Sequence, residues 1–210
     1  MEGLIAADQA ATLWIAQHHN MLLDALLMPV AWAGEVAVGW VVAMLLLLAF
    51  GGRRERLLTV VFACGLVATE LLLMPLFREW WPRPRPYMYL PDVRQMGVRW
   101  TSSSFPSAHM HLWVAGALLY GAAYRQWRWP LTLLTLLTAY SRPYAGMHHA
   151  LDVLFGSAVG AAVGLLELAV AGRLGLGSRP TLAEQGNQPG DSSAVADEER
   201  AGGGPPNPQS

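Results

Sequence analysis

Two long apolar stretches constrain this chain more than any other feature of its sequence. Residues 57–77 and 151–172 are each long enough, at 1.5 Å per helical residue, to cross a hydrocarbon layer about 30 Å thick. Backbone polar groups inside lipid must bond within their own segment, so a single span of this kind has to be helical. The two stretches therefore predict a helical membrane protein, which agrees with a composition that is 53% hydrophobic and only 14% charged.

Three further apolar segments extend this prediction to a bundle. They cover residues 28–50, 108–124 and 129–140, and the last is short for a full crossing. The predicted fold class is an all-α integral membrane protein, a helical bundle of about five transmembrane helices plus an N-terminal interfacial helix. A sixth crossing is the alternative that the sequence leaves open.

The two ends of the chain differ from the apolar middle. Residues 1–20 lack the basic start and cleavage site of a secretory signal, and Asp8 and Gln9 interrupt their apolar residues. This pattern predicts an N-terminal interfacial helix. Residues 21–176 form the predicted membrane-embedded domain. Residues 177–210, rich in Gly, Pro, Ser and acid, predict a disordered cytoplasmic tail.

Charge sets the expected orientation and excludes one class of partner. The basic loops at 51–56 and 124–128 lie on one side if five helices alternate, and the positive-inside rule makes that side cytoplasmic. A net charge of −1 argues against a nucleic-acid partner. The single Cys64 allows no intrachain disulfide. The oligomeric state is left open.

Three polar segments lie on the opposite, outer face: residues 78–86, 105–109 and 141–152. They bring Arg78, Arg85 and Arg142 towards one point, and guanidinium groups match the oxygens of phosphate. Backbone N–H groups at the start of the helix after Ser107 add donors at the positive end of a helix dipole. The segments therefore predict a phosphate site.

Histidines in the same segments predict chemistry at that site. Asp152 lies four residues after His148, so on a helical backbone it would orient the imidazole and leave the other nitrogen free as a nucleophile. His109 would act as the general acid and base. His149, three residues before Asp152, is the alternative nucleophile, and a metal cluster of these histidines with His111 is disfavoured by the surrounding arginines.

Two features inside the predicted spans are interpreted as structural. Gly156, Gly160 and Gly164 form a ridge that predicts close helix packing. Glu70 is interpreted as a carboxyl that is protonated or bonded to a neighbouring helix, because it is displaced along its helix from the outer face.

The three polar segments resemble the three-part signature of the type 2 phosphatidic acid phosphatase superfamily. That signature is a basic residue, six positions and Arg-Pro, then Pro-Ser-Gly-His, then Ser-Arg, five positions, His, three positions and Asp. The sequence departs from it at Arg78, where lysine is usual, and at Ala108, where glycine is usual. The resemblance implies His148 as nucleophile, Asp152 as its orienting partner and His109 as acid and base. It implies phosphate binding by a further set: Arg78, Arg85, Ser107 and Arg142.

The resemblance also implies an activity. It points to a phosphatase of membrane lipids that needs no metal or cofactor, embedded in the inner (plasma) membrane as a multi-pass protein. Its active site would face the extracytoplasmic side, and its C-terminus the cytoplasm. Small bacterial members of this kind most often act on undecaprenyl diphosphate. Phosphatidic acid, phosphatidylglycerol phosphate and lipid A phosphates are alternative substrates, and a phosphotransferase or a non-catalytic anionic lipid-binding or transport protein are alternative functions.

Overall fold

A computed structural model of the chain describes residues 2–31 and 33–176, without the side chains at 31–37. The regular elements in this part of the chain are all helical and include no strand, so the predicted all-α class is confirmed. The helices, in chain order, are α1 (Glu2–Gln17), α2 (Met21–Ala31), α3 (Ala33–Phe50), α4 (Arg53–Ala68), α5 (Met74–Trp80), α6 (Ala108–Ala123), α7 (Arg128–Tyr144) and α8 (Ala150–Arg173).

Among the described residues, two continuous helices are long and apolar enough to cross a membrane. The first runs from Arg53 to Trp80, because a π-helical turn at Thr69–Leu73 joins α4 to α5, and the second is α8. Only 28% and 33% of their most apolar windows are buried inside the protein. Large apolar side chains such as Leu71 and Leu165 are exposed instead, whereas the core helix of a soluble domain would bury them. The predicted tail at 177–210 lies outside the described residues.

The central contact of the bundle joins α6 to α8. Its close approach depends on the glycine ridge of α8, since a Cβ atom added at Gly160 would lie 2.6 Å from the carbonyl oxygen of His111. The packing predicted for this ridge is therefore confirmed. Apolar side chains of α4 and α6, including Phe62 and Leu119, fill the core beside it. The contact places the first turn of α6 next to the first turn of α8.

The link between α7 and α8 is shorter than the sequence predicted. Helix α7 continues to Tyr144, so Ser141 and Arg142 belong to its last turn. The turn that follows contains Gly146, whose φ of 71° favours glycine and whose missing Cβ leaves room for the carbonyl oxygen of Arg94. Helix α8 then begins directly after His149.

The N-terminal helix α1 packs against α7 and α8. Its buried residues, Asp8, Thr12 and Ala16, follow one another at four-residue spacing and so form one helical face. Leu4 and Trp14 are exposed. These two apolar side chains point away from the bundle, whereas Ile15 packs against the core cluster that contains Leu27 and Tyr144. The polar side chains of Asp8 and Thr12 point into the bundle.

Candidate active site

Five of the seven predicted site residues line one cleft of about 280 Å³. They are Arg78, Arg85, His109, Arg142 and His148. The rest of the wall comes from Trp100, Ser102, Ser103, Pro106, Ala108 and Met147, so all three polar segments contribute to it. Among the described side chains that line the cleft there is no carboxylate, and three guanidiniums therefore give it a positive potential. Such a cleft suits an anion.

The environment of His148 fixes the tautomer of its ring. Its Nδ1 lies 2.7 Å from the backbone carbonyl oxygen of Ser104. Because a carbonyl can only accept a hydrogen bond, Nδ1 carries the proton and Nε2 keeps its lone pair. Nε2 lies 3.5 Å from Nη1 of Arg85, on the cleft side. Burial lowers the pKa of His148 well below its usual value of 6.5, so the ring is neutral at pH 7.

Asp152 does not make the hydrogen bond to His148 that its spacing predicted. Nδ1 of His148 lies 3.9 Å from Asp152 Oδ2, which is too long for a hydrogen bond. Asp152 Oδ2 instead accepts the backbone N–H of His149 at 2.8 Å and lies 3.2 Å from Nδ1 of the same residue. The reason is that α8 begins after His149, which makes His149 the N-cap and places Asp152 at the third helical position. His148 precedes the helix, so helical spacing does not apply to it.

His149 has no nitrogen left for chemistry. Its Nδ1–H faces Asp152, and its Nε2 accepts the hydroxyl of Tyr89 at 2.8 Å. The side chain is fully buried and does not line the cleft. These contacts favour His148 over His149 as the reactive imidazole.

Backbone carbonyls hold the two buried arginines of the cleft. Arg85 donates from Nη1 to Met147 O at 3.0 Å and from Nε to Ser102 O at 3.2 Å. Arg142 donates from Nη2 to the carbonyl oxygen of Val30. Burial lowers the pKa of Arg85 from its usual value. Neutral acceptors orient these guanidiniums without cancelling their charge, which stays available to an anion.

Arg78 is more exposed and has a partial counter-ion. Its Nη2 lies 3.6 Å from Oε2 of Glu70, eight residues earlier. In a regular α-helix, residues eight apart lie about 80° apart around the axis. The wider π turn at Thr69–Leu73 offsets this rotation and brings the two side chains to one face. The Oε1 atom of Glu70 also lies 3.5 Å from Nδ1 of His111 on α6, so Glu70 contacts a neighbouring helix, as the sequence suggested, and a cleft residue as well.

The first turn of α6 supplies His109 to the cleft wall but keeps Ser107 inside the protein. Ser107 is fully buried, and its Oγ has no hydrogen-bond partner among the described residues. Its backbone N–H donates to the carbonyl oxygen of Asp152 at 3.1 Å. Ser107 and Asp152 are thus the two predicted site residues that hold α6 and α8 together, and neither lines the cleft.

Three residues around the cleft were not singled out from the sequence. The backbone carbonyl oxygen of Ser104 accepts a hydrogen bond from Nδ1–H of His148, a contact that no side-chain pattern in the sequence reveals. Arg83 contacts Asp152, and Asp8 contacts Arg83 from α1. In the sequence, Asp8 stood out only as one of the polar residues, with Gln9, that interrupt an apolar segment. In the part of the chain that the structure describes, no group of three His, Cys, Asp or Glu side chains is arranged as a metal site.

The family follows from a comparison with known proteins. A family model described as the PAP2 superfamily matches residues 59–175, which include all three polar segments. The chain belongs to the PAP2 superfamily. That match begins within α4, so α1, α2 and α3 lie outside it.

Individual relatives support the same family. The undecaprenyl-diphosphatase BcrC of Bacillus subtilis (strain 168) is 30% identical over 158 residues, covering 71% of this chain and 75% of the relative. An undecaprenyl-diphosphatase of Sulfolobus acidocaldarius is 26% identical over 132 residues, covering 62% of this chain and 63% of the relative.

Two crystal structures share the fold. LpxE of Aquifex aeolicus is 25% identical, with a TM-score of 0.64, and the match covers 75% of this chain and 92% of that structure. A transmembrane PAP2-type phosphatidylglycerolphosphate phosphatase from Bacillus subtilis has a TM-score of 0.62 at 19% identity, covering 83% and 89%. These likenesses show the shared fold, and the two long apolar helices agree with the predicted membrane protein.

Proposed function

We propose that this protein is a metal-independent membrane lipid phosphatase that acts through a phosphohistidine intermediate, with undecaprenyl diphosphate as its substrate. The observation that carries the proposal is the cleft in which His148 and His109 stand among three arginines. An anion bound by those arginines would lie beside one imidazole that can attack it and a second that can move a proton. Family membership and the two undecaprenyl-diphosphatase relatives support this assignment.

In the first step, Nε2 of His148 attacks the terminal phosphorus. Its lone pair is available because Nδ1–H is bonded to Ser104 O and the ring is neutral. A P–N bond forms while the P–O bond to the leaving group breaks, and His109 donates a proton to the leaving oxygen. Arg78, Arg85 and Arg142 balance the charge on the three equatorial oxygens, a contribution that dominates catalysis of phosphoryl transfer.

In the second step, His109 takes a proton from a water molecule, and the resulting oxygen nucleophile attacks the phosphohistidine. The P–N bond breaks, inorganic phosphate leaves, and His148 returns to its neutral form. The groups invoked in both steps are side chains of this chain that line the cleft, so the reaction as proposed needs no metal ion.

The proposed setting is a multi-pass protein of the inner membrane with about five spans. The helices Arg53–Trp80 and α8 would span it fully, while α2–α3, α6 and α7 would complete the bundle. The cleft lies at the start of α8, and the basic loops lie at the other end of α4 and α6. The positive-inside rule then places the cleft on the extracytoplasmic face and the C-terminus in the cytoplasm.

Phosphate release by the purified protein in detergent tests this function. Undecaprenyl diphosphate, phosphatidic acid and phosphatidylglycerol phosphate are compared in excess chelator, for the wild type, for His148→Ala and for the surface control His18→Ala. We expect chelator-resistant release, fastest from undecaprenyl diphosphate, that is lost in His148→Ala and retained in His18→Ala. A faster rate with another lipid would reassign the substrate but keep the chemistry.

Two other outcomes would reject the proposal. Release that requires an added lipid hydroxyl would indicate a phosphotransferase. Binding of the lipids with no turnover under any condition would indicate a protein that binds or moves anionic lipids.

A further inference from the structure

Side chains of α1 cap the first turn of α8. The backbone N–H of Ala150 donates to Thr12 Oγ1 at 3.1 Å, and that of Leu151 donates to Asp8 Oδ1 at 2.8 Å. The first N–H groups of a helix have no partner within the helix and need acceptors from elsewhere. Here the acceptors come from 138 and 143 residues earlier in the chain.

Arg83 connects this cap to Asp152, the carboxylate in the first turn of α8. Its Nη1 donates to Asp152 Oδ1 at 2.9 Å, and its Nη2 donates to Asp8 Oδ2. All three side chains are buried. Asp8, Thr12, Arg83 and Asp152 are called the support network below. Its two carboxylates and one guanidinium leave a negative balance next to the N-terminus of α8, where the helix dipole favours negative charge.

The support network reaches His148 by two routes. His148 and His149 immediately precede the capped turn, and the N–H of His149 is held by Asp152. On the other side, the carbonyl oxygen of Arg83 accepts a hydrogen bond from the N–H of Ser104 at 2.8 Å. The carbonyl oxygen of Ser104 in turn accepts a hydrogen bond from Nδ1–H of His148. The network therefore fixes both the backbone that carries the imidazole and the carbonyl that sets its tautomer.

We propose that Asp8 and Arg83 are positioning residues for His148, so that α1 helps to set the geometry of the active site. This inference rests on the proposed function. Burying Asp8 is costly, and docking an apolar helix would not require a buried carboxylate, so its place here calls for a specific role. The family-model match at 59–175 does not include α1, so it does not account for Asp8.

Four variants of α1 test the proposal in the full-length protein. In Asp8→Asn, one of the two oxygens becomes an NH₂ group that cannot accept from Arg83 or Leu151. Thr12→Val keeps the shape but removes the acceptor for Ala150, and Thr12→Ser keeps the hydroxyl. Glu2→Gln, at an exposed position of the same helix, is the matched charge control. For each variant, kcat and KM are measured in detergent, and hydrogen–deuterium exchange is measured over residues 147–152.

We expect Asp8→Asn to lower kcat about tenfold with KM within about twofold, because the phosphate contacts remain and the alignment of the nucleophile is lost. Exchange over residues 147–152 should rise, since either the backbone N–H of Leu151 or the guanidinium of Arg83 loses its acceptor. Thr12→Val should show a smaller loss of the same kind, Thr12→Ser should restore most of it, and Glu2→Gln should match the wild type.

Wild-type kcat together with wild-type exchange in Asp8→Asn would overturn the inference, as would a change confined to KM. If Asp8→Asn does not fold, the Thr12→Val and Thr12→Ser pair decides, and equal kcat in these two variants overturns it. Failure of the proposed function looks different: the wild type itself would release no phosphate. Hydrogen–deuterium exchange needs no turnover, so it would still report whether α1 stabilises residues 147–152.

Discussion

Arg83 and Arg85 lie two residues apart and serve two regions with opposite charge balance. Arg85, in the cleft, donates to carbonyl oxygens of Ser102 and Met147 and contacts no carboxylate among its described hydrogen bonds. Arg83, in the support network, is held between Asp8 and Asp152. A guanidinium whose charge is left uncompensated can bind an anionic ligand, whereas a compensated one can only hold protein groups together.

Arg85→Gln should give the largest effect, because it removes one uncompensated charge from the cleft. We expect kcat/KM to fall about 10²-fold or more, the range typical of deleting one preorganised donor at a transition state. Phosphate release in detergent measures it. Arg56→Gln is the matched control, an exposed arginine at the basic end of the bundle whose Nη2 donates to Ala49 O. Equal losses in the two variants would mean that the cleft charge has no special role.

Asp152→Asn should give the second-largest effect, because it weakens the support network and leaves the residues of the cleft unchanged. The carboxylate accepts from Arg83 with Oδ1 and from His149 with Oδ2. An amide can accept with one atom only, so one buried donor loses its partner at a cost of about 1–3 kcal/mol. We expect kcat to fall about tenfold with KM little changed. Thermal unfolding gives the stability loss, and a rise in KM with unchanged kcat would place Asp152 at the phosphate instead.

The helices of both regions could be predicted because length and apolarity are properties of single segments. The contacts between the regions could not. The spacing of His148 and Asp152 suggested an i, i+4 pair, but α8 begins at Ala150, two residues after His148, and Asp152 pairs with His149. No Ser, Thr, Asn or Asp at the N-cap marks that beginning, because the capping acceptors come from α1.

The difference between local patterns and long-range contacts also explains which site residues could be predicted from the sequence. The cleft residues belong to three short motifs, each recognisable within its own segment. Asp8 and Ser104 act through long-range contacts or through the backbone, for which a single sequence carries no local signal. The motifs also gave no sign that only five of their seven predicted site residues line the cleft.

A pH profile sharpens the comparison at His148, whose ring lies between the two regions. Burial holds its pKa well below 6.5, so the reactive neutral form persists as the pH falls through 6.5 and is lost only at lower pH. The acid limb of kcat/KM, where the rate falls as the pH falls, should therefore lie below pH 6.5. Phosphorus NMR of the substrate gives the pKa of its phosphate separately, so that its ionisation can be told from that of His148. An acid limb at or above pH 6.5 that follows His148 would contradict the buried, neutral imidazole.

Glu70→Gln should have the smallest effect, because Glu70 compensates the charge of the cleft residue Arg78 only in part. It is the partial counter-ion of Arg78 at 3.6 Å, both side chains of that pair being more than a third exposed, at 38% and 40%, and it also lies 3.5 Å from Nδ1 of the buried His111. Half-exposed pairs of this kind contribute little, about 0–1 kcal/mol. Removing the carboxylate leaves Arg78 less compensated, so KM should fall by no more than about threefold while kcat stays the same. A large loss of kcat would instead show that Glu70 fixes Arg78 as firmly as Asp8 fixes Arg83, and the distinction between cleft and support network would then fail at this arginine.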